Sequence, residues 1–150
     1  MIVSEPSGRI LALDVGKKRI GLAVSDPLRV TAQGLNTFHR TRIRDDLRQL
    51  KEMVEQLSIV VLLVGIPLHM SGDESRQSEY TRDFAERLSE HTSIPVVYWD
   101  ERLTSMEAER LLKSAGTTLD DRKRAVDRLA ATLLLESYLG YLQQQEGPNG

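Results

Sequence analysis

Ile10–Pro27 reads ILALDVGKKRIGLAVSDP, and the fold depends on what this stretch does at its middle. Ile10–Leu13 has the pattern of a buried strand, and Arg19–Ser25 is strand-like again after a short break. Between them stand Asp14, Gly16 and three consecutive cations, Lys17, Lys18 and Arg19. Asp followed closely by Gly is common turn chemistry, and Gly16 suits a φ > 0 position, so the simplest reading is a hairpin. A hydrophobic strand that ends on a carboxylate also calls for partners of Asp14 elsewhere in the chain.

Working outward, Arg9–Asp14 and Arg19–Ser25 pair, and a third short strand is expected over Leu35–His39. Leu47, Leu50, Val54 and Leu57 recur at helical spacing, which predicts a helix over Arg42–Leu57. Ser58–Gly65 is almost wholly apolar and β-branched, as in a strand covered on both faces, and Pro67 stops it. A helix is expected over Asp73–Glu90, with Tyr80, Phe84 and Leu88 on one stripe, and a further strand over Ile94–Asp100. Thr104 and Glu107 match a capping box, which starts another helix just beyond Glu101. A last helix runs over Lys123–Leu142, and residues 143–150 read as a frayed tail. Three strands, then alternating helices and strands, imply an α/β fold in one domain over 1–150: a mixed five-stranded sheet flanked by helices.

Composition narrows the chemistry. The chain has 150 residues, 40% hydrophobic and 28% charged, as expected of a globular protein with a sizeable core. No apolar run is long enough to cross a bilayer, and MIVSEPSGR lacks the pattern of a signal peptide, so a cytoplasmic location without a membrane partner is expected. The absence of cysteine excludes disulfides, zinc–thiolate sites and thiol nucleophiles. With a net charge of −2, nucleic acid would have to meet a local basic patch. Three are available: Lys17–Arg19; Arg40, Arg42 and Arg44; and Arg122–Arg124 with Arg128. Each taken alone also suits a solvated surface.

Two further carboxylates stand out beside Asp14. Glu101 follows a predicted strand, at the end where open α/β sheets place ligands. Asp127 shares a helical face with Ala130, Ala131 and Leu134. One reading makes Asp127 a helix-terminus charge offset by Arg124 and Arg128. The other brings it together with Asp14 and Glu101, where three like charges would repel unless a divalent cation joined them. Oxygen donors without cysteine favour Mg²⁺ or Mn²⁺, metals that clamp phosphates.

The segments ALDVGKKRIGLAVSD, VGIPLHMSGDES, DERLTSMEA and VDRLAATLLLESYL, in this order over about Arg9–Leu139, together resemble the YqgF family, also called RuvX or Holliday-junction-resolvase-like. The resemblance implies an RNase H-like fold and an acidic site at Asp14, Glu101 and Asp127 that binds Mg²⁺ or Mn²⁺, as two ions, and carries catalysis. It implies a nuclease of structured nucleic acid: pre-16S rRNA at its 5′ end during ribosome biogenesis, with ribosomal precursor particles as partners, or branched DNA. Gly16, Lys17, Lys18, Arg19, Arg102 and Arg124 are the expected nucleic-acid contacts, on a monomer or weak dimer. Ser105 stands where the family pattern has a second Thr, and Arg128 where a small residue is usual. An actin-like ATPase would share an Asp-x-Gly loop but needs two such domains, and this chain has one such motif. A non-catalytic binding module is disfavoured by the presence of all three acids.

Overall fold

The computed structural model describes residues 8–66, 72–100 and 119–146, with the side chains of 8–66, 76–100 and 128–145. The opening stretch is a hairpin: β1 (Arg9–Val15) pairs antiparallel with β2 (Arg19–Ser25), with Leu13 opposite Leu22 and Asp14 opposite Gly21. Beyond β2 lie two short strands, β3 (Ala32–Gly34) and β4 (Phe38–His39), where one strand over Leu35–His39 was expected. The register explains the split. Gly34 faces Ala23 and Phe38 faces Ile20, so Leu35, Asn36 and Thr37 oppose only Leu22 and Gly21. The extra residue is a bulge that interrupts the ladder.

The sheet continues on the other side of β1. Strand β5 (Ile59–Ile66) runs parallel to β1, and β6 (Val96–Asp100) runs parallel to β5. The order is β3-β2-β1-β5-β6, with β4 also on β2, a mixed sheet of six strands among the described residues. The five expected positions across the sheet are therefore present, the outermost one in two pieces.

Helices α1 (Ile43–Leu57) and α2 (Gly72–Thr92) cover one face, and α3 (Leu119–Glu146) covers the other. Period-two alternation sorts the strand residues between them. Leu11, Leu13, Ile20, Leu22, Leu62 and Val64 pack with Leu50 and Val54 of α1 and Phe84 and Leu88 of α2. Ile10, Ala12, Ala23, Val61 and Leu63 pack with Ala131, Leu134, Leu135 and Tyr138 of α3. Ser58 and Ser93 take left-handed conformations after α1 and α2, so each helix turns directly toward the next strand.

α3 is longer than the hydrophobic pattern suggests. It starts at Leu119 and reaches Glu146, so Gln143–Glu146 are helical where a frayed tail was expected. Gln and Glu are good helix formers and need no apolar partner to continue an existing helix. The helix expected after Glu101 lies outside the described residues. Among the described residues, no helix is long and apolar enough to cross a membrane.

Candidate active site

Asp14 sits near the end of β1, a central strand hydrogen-bonded on both sides. By the pleat it follows Ile10 and Ala12 onto the face covered by α3, and it is half-buried there. Its cross-strand neighbour on β2 is Gly21. On the other side Leu13 pairs with Val64, so the next register step brings Gly65 beside Asp14. Neither neighbour carries a side chain. The carboxylate thus stands on a shelf of sheet flanked by two residues without side chains, both of them buried. Gly65 in turn faces Trp99 on β6. The Trp99 indole Nε1–H donates to Ser137 Oγ at 3.0 Å, and its ring lies 5.1 Å from those of Tyr138 and Tyr141.

Small residues bring α3 near this shelf. Ala12 and Ala23 of the sheet meet Ala131 of the helix, and all three are fully buried. At Gly34 the approach is tighter, because a Cβ there would lie 2.6 Å from Arg128 Cγ and 2.9 Å from Thr132 Oγ1. Arg128 lays its stem over that glycine and donates from Nη2 to Asn36 Oδ1 at 3.1 Å. The large residue at position 128 is thus accommodated by a missing side chain at 34.

Glu101 and Arg102 lie outside the described residues. Asp127 and Arg124 belong to α3, but their side chains are not described. Two residues before Glu101, Trp99 packs into the α3 layer, and three and four residues after Asp127, Ala130 and Ala131 are buried. Among the described residues, which hold one of the three expected acids with its side chain, no three His, Asp or Glu gather.

The cations divide into two kinds. Lys17 and Lys18 are exposed at the hairpin tip, and Arg19 is half-buried at the start of β2. Gly16 does not adopt the expected positive φ. It is required sterically, since a Cβ there would lie 2.7 Å from the Arg19 carbonyl oxygen, which accepts the Gly16 N–H at 2.9 Å. Arg40 does not belong to an open basic patch. Its Nε pairs with the buried Asp46 carboxylate at 3.3 Å, Nη1 donates to Gly16 O at 3.0 Å and to the Tyr80 hydroxyl, and its guanidinium lies 4.6 Å from the Phe84 ring centre. Asp46 also accepts the Thr41 N–H at 2.9 Å. Arg42 and Arg44 remain exposed.

Sequence reasoning passed over Gly21 and Gly65, and read Arg40 as part of a basic patch. Gly21 was within reach of it, since a hairpin closed at Gly16–Arg19 sets Gly21 opposite Asp14. No local pattern marks the buried role of Arg40, whose partners besides Asp46 lie 24 and 40 residues away along the chain.

Residues 8–141 match the RuvX Holliday junction resolvase family. The chain belongs to that family. A candidate pre-16S rRNA nuclease of Koribacter versatilis is 49% identical over 140 residues, covering 91% of this chain and 92% of that protein. One of Carboxydothermus hydrogenoformans is 42% identical over 133 residues, covering 89% and 96%. The fold resembles that of T. thermophilus RuvC solved with a Holliday junction, with a TM-score of 0.58 at 11% identity over 90% of this chain and 96% of that one. It also resembles the fowlpox virus resolvase in its junction complex, with a TM-score of 0.54 at 14% identity over 89% and 98%. RuvX membership and these two likenesses support the expected RNase H-like architecture.

Proposed function

We propose that this chain is a divalent-cation-dependent nuclease of structured RNA that trims the 5′ end of 16S rRNA precursors, in the cytoplasm and on precursor particles. The observation that carries the reading is Asp14 on its glycine shelf, in the sheet face under α3. The relatives named as candidate pre-16S rRNA nucleases supply the substrate class. Asp14, Glu101 and Asp127 would hold Mg²⁺ or Mn²⁺ as two ions. A carboxylate on a rigid strand beside bare backbone fits such hard cations, and the chain has no cysteine to favour a softer one. When bound, the ions polarise the phosphoryl oxygens of the substrate and organise an in-line displacement.

The chain's own residues do the rest. Asp14 lies on a strand paired on both sides, so its backbone keeps its position as substrate arrives. Gly21 and Gly65 put no side chain beside the Asp14 carboxylate. Lys17, Lys18 and Arg19, with Arg102 and Arg124, would neutralise flanking phosphates and set the strand's register.

The test is cleavage of a pre-16S rRNA fragment beside a four-way DNA junction, each with Mg²⁺, Mn²⁺ or EDTA. The RNA should be cut in the presence of metal and not in EDTA. Asp14→Asn should lower cleavage by orders of magnitude without lowering the melting temperature. A fully active Asp14→Asn protein would remove the site from consideration. The second reading is a resolvase of branched DNA, favoured by the fold shared with RuvC and the fowlpox enzyme. Junction cleavage faster than RNA cleavage would decide for it.

A further inference from the structure

Across the hairpin tip from Asp14, on the α2 side of the sheet, lies a cleft of about 460 Å³ lined by Lys17, Arg76, Gln77 and Tyr80. Among the described residues, both charged residues of this lining are cations, and both are exposed. The walls are held together by polar contacts. Gln77 Nε2 donates to Val15 O at 3.3 Å and to Thr81 Oγ1 at 3.3 Å, joining α2 to the end of β1. Arg40 donates to Gly16 O and to the Tyr80 hydroxyl, and its guanidinium lies 5.5 Å from the Tyr80 ring centre.

The Tyr80 hydroxyl accepts from Arg40, so its own proton remains to be given to another acceptor. A cleft that offers an ammonium, a guanidinium and a phenol proton, backed by a second guanidinium, is built for an oxyanion. Resting on the proposed nuclease function, we infer that this cleft binds a backbone phosphate of the nucleic-acid strand flanking the scissile position. The strand passes from the Asp14 shelf over the Gly16–Lys18 tip into the cleft. Arg76 and Tyr80 are then substrate contacts on the face opposite the acidic site, where they position the strand without reading its sequence.

The test is equilibrium binding of the full chain to a fluorescent RNA spanning the 16S 5′ junction, in EDTA, across a salt series. Each phosphate contact contributes about 0.7 to 0.9 to the log–log salt slope, so Lys17→Ala with Arg76→Ala should flatten it by roughly 1.4 to 1.8. Tyr80→Phe removes a hydrogen bond but no charge, so it should weaken binding about tenfold at every salt concentration and leave the slope unchanged. Arg87→Ala removes the same charge about three turns further along α2, where Arg87 pairs with Asp83 at 3.2 Å, and should change neither quantity. An unchanged slope in the double variant, with wild-type cleavage retained, overturns the cleft and leaves the nuclease reading standing. An equal flattening by Arg87→Ala also overturns it, since the effect would then be the general field of the helix. If the wild-type chain shows no salt-dependent RNA binding, both readings fall together.

Discussion

The two faces of the sheet are closed in different ways. Under α1 and α2 the packing is thick, with leucine, isoleucine and phenylalanine between strand and helix, and a buried Arg40–Asp46 pair at its edge. Under α3 larger residues such as Leu63, Leu134 and Leu135 also pack, but the contact thins where Ala12 and Ala23 meet Ala131 and where Arg128 and Thr132 press against Gly34. A thick layer keeps a helix at a distance and gains stability from apolar area. A thin layer brings the helix backbone toward the strands, which is what a carboxylate on α3 needs to share a ligand with one on β1. The first face should therefore govern stability, and the second the geometry of the site.

The sharpest break in that division is Arg40→Met. It strands a carboxylate that is 1% exposed, and removing one partner of a buried pair costs about 3–5 kcal/mol. Adding Asp46→Leu should recover much of the loss, because no unpaired charge remains. Denaturant melts of the single and double variants test this, and equal losses would mean that the pair is not the reason.

On the thin face, Ala131→Leu should act through position. Overpacking costs about 1–3 kcal/mol, while an ångström of misplacement at the site can cost cleavage on the order of a hundredfold. Leu50→Ala on the thick face should do the reverse, losing about 2–5 kcal/mol with little change in turnover by the folded protein. Paired melting and cleavage assays would erase the distinction if both variants lost activity in proportion to stability.

Gly34→Ala sharpens the same point on a smaller scale. The new methyl meets the Arg128 stem and Thr132 Oγ1, costing about 1–3 kcal/mol, and Arg128→Ala in the same chain should return part of it. Strictly additive losses in the double variant would show that the two positions are not coupled.

The smallest effect belongs to neither face. Asp26, after β2, accepts the N–H groups of Leu28, Val30 and Thr31 and the Thr31 hydroxyl, and these bonds hold its carboxyl below the usual value of 3.8. A depressed folded-state pKa contributes stability that is present above 3.8 and fades as pH falls through the lower folded value. Asp26→Asn should therefore lower the melting temperature slightly near neutrality, converge with the parent chain in acid, and so flatten the acid limb of the profile. A pH dependence that persists unaltered in the variant would count against the loop bonds as its source.

Much of this protein is set by local pattern. Strand β2, the positions of α1 and α2, and the five places across the sheet follow from the period of apolar residues and from turn chemistry, because those signals reflect the backbone's own geometry. The place of Asp14 at a strand end was legible for the same reason. The split edge was not, since a bulge arises from the register between two strands and not from either alone. The role of Gly16 was legible only in part: its need for a missing side chain is real, but the cause is a carbonyl three residues on rather than a positive φ. Arg40 looked like part of a basic patch and became an internal strut, because burial and pairing depend on what the rest of the chain brings to it. Tertiary structure alone brought Gly65 beside Asp14 and set Gly34 against Arg128, for those are distances between segments, and no short stretch of sequence contains them.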